Sequence, residues 1–507
     1  MVADWASRRA SLSPERTAIY DLARERAYSY REMAGRTARL AGWMAAVGAR
    51  SGARIGILAR NQMAHLDLWL LSGYAGLTAV PLNWRLPPAE LLPLARRARV
   101  SALLCADEFL AAGEEVARET GARVLRLGVG GEEYEQGLAA ADPIPPTPAD
   151  EMDTAMLLFT GGTTGVAKGV RITHRQIFYN AVNTVASWEL SAQDVAPVFT
   201  PFYHTGGYHV LTTPLYHTGG TTLLGEGFSA PQALSALREH GATLLFLVPT
   251  MFSSLLSEEI TPRDLASVRF AISGGAACPP YVEERFRRLG VRFRQGYGLT
   301  EVGPNCFYMP SEAIDVHPGS VGVPVFHLEV RIAAEDGAPL APGEAGELWL
   351  RGPTVADGYD GRPEETRETF GADGFCHTGD LAVQDAEGFV TIVGRRKEMF
   401  ISGGVNVYPI EVETALYAHP DVALCAVVGV AHLHWGEVGV AFVQPREGAF
   451  LEAGALLSFL AGRLARYKLP KAVEIRRELP LTGAGKVAKE ELRREYLARS
   501  GAEKEGS

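Results

Sequence analysis

Cysteine is scarce, and the few present do not pair. Cys105, Cys278, Cys306, Cys376 and Cys425 are scattered, odd in number and never spaced Cys-x-x-Cys. That argues against a disulfide framework or a zinc site and fits a reducing cytoplasm. An excess of positive charge is also missing. Lys plus Arg is 49 and Asp plus Glu is 59, a net charge of −10, which argues against a dedicated nucleic-acid or anionic-membrane binder. It leaves an anionic small molecule open, because local fields decide that. Long apolar runs are absent as well. The most apolar stretch, residues 66–82, is broken by Asp67, Ser72, Gly73, Gly76 and Pro81. It is too short and interrupted to span a membrane, and it reads as a buried helix followed by a turn. The first nine residues hold no apolar core of a signal peptide. There is no internal repeat and no low-complexity tract.

What is present is an ordinary globular balance, 47% hydrophobic and 21% charged residues over 507 positions. This length implies about three folding units, or one large α/β unit and a smaller one. Residues 54–59 and 101–105 read as buried strands with a helical pattern at 88–98 between them, an alternation that predicts a parallel sheet flanked by helices. The proline-rich stretch 142–150 reads as an exposed connector. The pattern resumes with strand candidates at 243–249 and 268–273. From about residue 320 the texture changes. Residues 328–332, 347–351 and 389–393 alternate between turn sequences such as Glu335-Asp336-Gly337 and read as antiparallel strands. After Gly394 come a helix from about Pro409, a strand at 423–430, a helix near 455–465 and a strand at 472–475. The fold class is therefore α/β: a large N-terminal domain (residues 1–394) of parallel sheets with flanking helices and a small antiparallel β subdomain, then a small α+β domain (395–507).

The strongest chemical signal is Leu157-Leu158-Phe159-Thr160-Gly161-Gly162-Thr163-Thr164-Gly165-Val166-Ala167-Lys168-Gly169. An apolar run ends in glycines and hydroxyls and then a lysine. Glycines let backbone N–H groups crowd onto an anion, while the hydroxyls and the ammonium add donors and charge. The parts are those of a phosphate cradle, although the Gly-x-x-x-x-Gly-Lys-Ser/Thr spacing fails here. On composition alone, a flexible Gly/Thr turn remains an alternative. Weaker single signals follow. Phe202-Tyr203-His204-Thr205-Gly206-Gly207 sets a histidine among aromatics and glycines. Gln295-Gly296-Tyr297-Gly298-Leu299-Thr300-Glu301 joins a tyrosine to a hydroxyl and a carboxylate. Cys376-His377-Thr378-Gly379-Asp380 offers a carboxylate on a tight turn. Gly394-Arg395-Arg396-Lys397-Glu398 opens the last segment, and Leu481-Thr482-Gly483-Ala484-Gly485-Lys486 puts a lysine on a glycine loop.

The order and spacing of these segments resemble the adenylate-forming ligase superfamily, which includes acyl- and aryl-CoA ligases, beetle luciferases and peptide-synthetase adenylation domains. The resemblance runs over roughly residues 15–495. It implies that Thr160, Gly161, Gly162, Thr163, Thr164, Gly165 and Lys168 wrap the phosphates of ATP, with glycine here where the family often has serine. It implies that Glu301 is a Mg²⁺ ligand, assisted by Thr160. Tyr297 is expected against adenine, with Gln295 and Gly296 also at the nucleotide, Thr300 at the α-phosphate, and Gly275 and Ala276 along another wall. Asp380 is expected to accept both ribose hydroxyls, because a carboxylate offers about four lone-pair directions, with Arg395 beside it. His204 is expected between the acyl carboxylate and the nucleotide, whereas His209, His217 and His377 read as structural. Candidates for the acyl pocket are His204, Tyr208, Gly274, Gly298, Val302, Gly303 and Pro304.

The resemblance further implies two half-reactions. A carboxylate and MgATP give acyl-AMP and pyrophosphate, with Lys486 offsetting the repulsion between carboxylate and α-phosphate. The thiol of coenzyme A then attacks the acyl-AMP. Lys397 matches the hinge about which the small, mobile domain turns between them, and Gly403 and Gly404 admit the pantetheine arm. Val405 stands where the family often has Glu, and Ser402 stands where some plant aryl ligases have lysine. The expected substrate is a medium-chain fatty or aromatic acid. The rivals are an enzyme that loads a carrier protein, a luciferase-type oxidase and a non-enzymatic acyl-nucleotide binder. No nucleic acid is expected as a partner, and a homodimer is the commonest default.

Overall fold

The helix–strand alternation of the first half builds parallel sheets covered by helices. A computed structural model describes residues 3–160, 167–483 and 485–505. The first sheet runs, in spatial order, Arg123–Arg126, Ala102–Cys105, Arg54–Leu58, Thr78–Pro81, Thr154–Thr160, Lys168–Thr173. All pairs are parallel except the last, a hairpin whose two arms hold the Thr/Gly loop. Residues 161–166, which carry Gly161, Gly162, Thr163, Thr164 and Gly165, lie outside the described residues. Ala102–Cys105 is buried at every position, as a strand covered on both faces must be, hence its unbroken apolar run.

A second sheet, Arg26–Ser29, Thr17–Asp21, Thr221–Leu224, Val195–Val198, lies across the helices from the first. The helix Tyr30–Ala46 starts at a capping box in which Ser29 and Glu32 satisfy each other's backbone N–H. Its buried Met33, Thr37, Leu40, Ala41 and Met44 recur every three or four residues. With the helix Met63–Ala75 it fills a core between Ile19 and Leu224 of the second sheet and Ile55, Leu104 and Leu158 of the first.

A third parallel sheet, Leu244–Leu247, Phe270–Ser273, Phe293–Gln295, is followed by an antiparallel one, Glu329–Ala333, Ala345–Arg351, Cys376–Gln384, Val390–Arg395. After a turn at 396–398 the chain enters a last sheet. There Phe400–Ser402 and Val405–Val407 form a hairpin beside the long antiparallel pair Val422–His432 and Gly436–Pro445, with Ala472–Ile475 alongside. The helices Pro409–Tyr417 and Ala453–Ala461 bury Val412, Leu416, Leu456 and Leu460 against it.

Most expected elements stand within a few residues of their places. Residues 66–82 differ. The helix ends at Ala75, Gly76 turns the chain in the left-handed region, and Thr78–Pro81 is a sheet strand rather than a turn. A four-residue strand inside a longer apolar run has no periodicity to mark it. The connector at 142–150 is irregular and mostly exposed, as expected, yet its backbone bonds to two helices through Ile144 to Ala38, Thr147 to Tyr74 and Ala149 to Gly73. Among the described residues no helix is long and apolar enough to cross a membrane.

Candidate active site

The candidate residues gather just beyond the carboxyl ends of parallel strands, where open α/β sheets leave a crevice. Thr160 ends one strand, Gly274 and Gly275 follow Phe270–Ser273, and Gly296 and Tyr297 follow Phe293–Gln295.

The loop after Gln295 is folded tightly on itself. Leu299 and Gly303 exchange backbone hydrogen bonds of 3.1 and 2.8 Å, and the N–H of Cys306 donates to Tyr297 O at 3.0 Å. A Cβ on Gly298 would lie 2.2 Å from the backbone of Pro304, so only glycine fits. Gly303 sits at φ +101°, which also favours glycine. Thr300 and Glu301 project from the tip. Gln176, on the helix His174–Trp188, donates from Nε2 to Thr300 O at 3.1 Å and steadies that tip.

Three groups then meet. Asp380 and Arg395 face each other across the antiparallel sheet, and Arg395 Nε donates to Asp380 Oδ1 at 2.7 Å. The Tyr297 hydroxyl donates to Asp380 Oδ2 at 2.5 Å. Burial first, and the neighbouring Asp380 second, raise the Tyr297 phenol well above its ordinary value, so it stays a donor. Asp380 is thereby oriented with lone pairs to spare.

Glu301 belongs to a second corner. The Tyr359 hydroxyl donates to Glu301 Oε1 at 2.9 Å, and Lys168 Nζ lies 4.7 Å above the Tyr359 ring. Tyr359 arrives because segment 357–360 pairs along the outer edge of Lys168–Thr173, with Arg171 N donating to Gly358 O and Asp360 N to Gly169 O. Thr160 stands opposite Lys168 in the hairpin. Burial raises the Glu301 carboxyl, and the Tyr359 hydrogen bond and the charges of Arg395 and Lys168 offset this only in part. A lone, under-compensated carboxylate suits Mg²⁺, which usually takes one or two protein oxygens and completes its shell with phosphates and water. Among the described residues no three His, Cys, Asp or Glu side chains group as a metal cage.

Lys486 enters from the last unit. A Cβ on Gly275, at φ +86°, would lie 3.6 Å from Lys486 Cε. Burial, then the charge of Arg395, lowers the Lys486 ammonium below its ordinary value, with Asp380 and Glu398 acting against this. The loop is held by donors on the large part that its own sequence does not announce. Arg85 Nη1 and the Tyr203 hydroxyl donate to Gly483 O at 2.9 and 3.2 Å, and Thr250 Oγ1 donates to Gly485 O at 3.1 Å. His204 is pushed down to about 4 by burial, by Lys486 and by Arg85, so it is neutral at pH 7. Its buried Nε2 has no hydrogen-bond partner among the described residues, which leaves it available to a ligand atom.

The remaining expected residues have these places in the fold. Tyr208 is fully buried in the main core, its ring tilted against Phe202 and its hydroxyl donating to His65 O at 3.3 Å. Val302 packs with Cys306 and Phe307 in the core of the antiparallel sheet. Ala276 is exposed, and Gln295 pairs with Ser273. Gly403 and Gly404, at φ +59° and +83°, form an exposed turn whose Gly403 N–H donates to Trp435 O. Lys397 lies in the turn at 396–398. The sequence reading missed Tyr359, Arg85, Tyr203 as a donor, Thr250 and Gln176.

Residues 6–360 match the family model of the AMP-binding enzyme, and residues 411–486 match that of the AMP-binding enzyme C-terminal domain. The chain is 39% identical to a feruloyl-CoA synthase of an Amycolatopsis species, over 97% of this chain and 98% of that one. It is 36% identical to an indoleacetate–CoA ligase of Aromatoleum aromaticum, over 97% of each. ATP-bound MatB from Rhodopseudomonas palustris superposes with a TM-score of 0.92 at 31% identity, covering 98% of this chain and 99% of that one.

Proposed function

Because this chain belongs to the AMP-binding enzyme family and is an ATP-dependent, AMP-forming acid–thiol ligase, we propose that its substrate is an aromatic carboxylic acid, activated as acyl-AMP and passed to coenzyme A. The observation that carries the reading is the convergence of Lys486, Asp380, Arg395 and an unpartnered His204 on one crevice. The aromatic assignment draws on the two curated relatives, whose named acids both carry rings.

In the first half-reaction an acid oxygen bonds to the α-phosphorus of ATP, and the bond to the bridging oxygen of pyrophosphate breaks. Asp380 accepts from the ribose hydroxyls while Tyr297 and Arg395 fix its orientation. Lys168 and Thr160 meet the phosphates, and Thr300 approaches the α-phosphate. Bound at Glu301, Mg²⁺ would spread the phosphate charge. Lys486 answers the repulsion between carboxylate and phosphate, which is where a preorganised cation is worth most. The same ammonium stands near Arg395 with its charge disfavoured, so an anion between the two relieves both. Neutral His204 presents Nε2 to the acid without adding charge.

In the second half-reaction the thiol sulfur bonds to the acyl carbon, AMP leaves, and the thiol proton goes to solvent. Rotation of the residues beyond Lys397 about that position withdraws Lys486 and brings Gly403 and Gly404 to the pantetheine arm, while Arg395 stays paired with Asp380 in the antiparallel sheet. The test is direct. The protein is incubated with ATP, Mg²⁺, coenzyme A and a panel of hydroxycinnamates, arylacetates, benzoates and C4–C12 alkanoates, and acyl-CoA, AMP and pyrophosphate are followed by mass. Ring-bearing acids should give all three products. Preferential turnover of alkanoates would refute the aromatic assignment, and acyl-AMP without acyl-CoA would refute the acceptor.

A further inference from the structure

The last unit touches the large part at a second place besides the Lys486 loop. Just past the strand Gly436–Pro445, the guanidinium carbon of Arg446 lies 3.8 Å from the centre of the Tyr281 ring. Tyr281 belongs to the helix Pro280–Arg288 of the large part. Its hydroxyl donates to Ser253 Oγ at 2.7 Å, which fixes the ring beneath the cation. Arg446 is held from its own side. Its backbone N–H donates to Asp421 O at 2.8 Å and its Nε to Val422 O at 3.4 Å. Both residues are half-buried, so the cation sits over the ring with part of its water removed, where such a contact is worth more than on an open surface.

One short helix links this contact to the lysine. Thr250 and Ser253 stand three residues apart on Pro249–Leu256, hence on one side of it. Thr250 donates to Gly485 O, next to Lys486, and Ser253 receives the Tyr281 hydroxyl. The same helix therefore carries the end of the lysine loop and the support of the ring under Arg446. A unit held only at that loop could tilt about it, and a second contact removes this freedom. We infer that Arg446, seated on Tyr281, is a positioning residue for the first half-reaction: it sets the tilt of the last unit and so the aim of the Lys486 ammonium. This rests on the reading of Lys486 as the cation of acyl-AMP formation. A misplacement of about 1 Å can cost a reaction about 10²-fold, so a contact that touches no substrate is still read in the rate. The second half-reaction is proposed to turn the unit away, so there the contact gives no help.

The experiment times acyl-AMP formation and, separately, thioester formation from supplied acyl-AMP, with 4-hydroxy-3-methoxycinnamate as the acid. It compares the wild type with Arg446→Ala, Arg446→Lys, Tyr281→Phe, Tyr281→Leu and the double variant Arg446→Ala/Tyr281→Leu. In Arg446→Ala, acyl-AMP formation should fall about threefold to tenfold, the size of one partly desolvated cation–π contact. Thioester formation should be unchanged or faster. Tyr281→Leu should show the same split, and the double variant should lose no more than either single one, as expected of two groups that act through each other. Arg446→Lys and Tyr281→Phe, which keep a cation and a ring, should stay nearer the wild type. If Arg446→Ala melts well below the wild type, Tyr281→Leu, in the other part of the molecule, carries the same test. Equal losses in both half-reactions, additive losses in the double variant, or wild-type rates in a folded Arg446→Ala each overturn the inference. Lys486→Ala run beside them separates the two levels: if it leaves acyl-AMP formation intact, the reading of the lysine falls and the inference with it, whereas its loss beside an unaffected Arg446→Ala removes the inference alone.

Discussion

Two glycine loops of the last unit behave differently. The loop that carries Lys486 is closed on itself, with Thr482 N donating to Lys486 O at 2.7 Å, and is docked onto the large part through the carbonyls of Gly483 and Gly485. Among the described residues the turn at Gly403–Gly404 bonds within its own sheet, to Trp435, and around it Ile401, Val405, Leu433 and Trp435 are exposed. The glycines alone do not set the difference, because both loops have them. What differs is a set of side-chain donors placed opposite one loop. The lesson is that a glycine loop supplies carbonyl acceptors and close approach, and its docking is decided by residues far away in sequence. The present arrangement uses the Lys486 face of the unit, which is the one the proposed first half-reaction needs.

The largest break in this comparison is Lys486→Ala. Acyl-AMP formation should fall about 10²–10³-fold, the usual cost of losing one preorganised donor at developing charge. Thioester formation from supplied acyl-AMP should fall far less, because in the proposed second half-reaction the exposed turn, and not Lys486, faces the thiol. Rapid-quench measurement of each half-reaction checks this, and equal losses would remove the division between the two faces.

A smaller effect is expected from Arg85→Ala, which deletes one donor to Gly483 O and leaves that from Tyr203 to the same carbonyl and that from Thr250 to Gly485 O. One hydrogen bond contributes about 0.5–1.5 kcal/mol, so acyl-AMP formation should drop by up to about tenfold, with thioester formation unchanged or faster. A parallel fall in both steps would show that Arg85 acts otherwise than by docking the loop.

A further effect, on stability rather than on either step, is a pH slope. Burial holds His204 and His174 at about 4 and His65 and His209 at about 3. The unfolded chain takes up these protons near pH 6.5, while the folded chain declines them until about 4. The unfolded state therefore binds more protons in that window, and stability falls as pH drops from about 6.5 through 4. Above 6.5 these four groups add no slope. The urea midpoint should be lower at pH 5 than at pH 7, and equal midpoints would contradict the burial of neutral histidines.

The same contrast explains what could be read before the fold was known. Asp380, Arg395, Glu301 and Lys486 stand in short segments whose turn residues and charges are adjacent in sequence, so they were legible one by one. The alternation of apolar strands and helices predicted the parallel sheets, and the change near residue 320 predicted the antiparallel one. Arg85 lies 398 residues from the carbonyl it reaches, and Tyr359 meets Glu301 only because segment 357–360 pairs beside Lys168–Thr173. Neither has a local signature.

The most direct test of the central claim, that one unit serves two half-reactions by turning about residue 397, is Lys397→Pro. Proline fixes φ near about −65°, whereas a hinge must absorb a large change of backbone angle. With thermal melting recorded beside the kinetics, both half-reactions are timed in single turnover. The account predicts a folded variant in which one half-reaction persists and the other falls by orders of magnitude. If the arrangement described here is the one retained, acyl-AMP accumulates while acyl-CoA does not form. A well-folded variant that carries out both steps at wild-type rates would contradict rotation about this position.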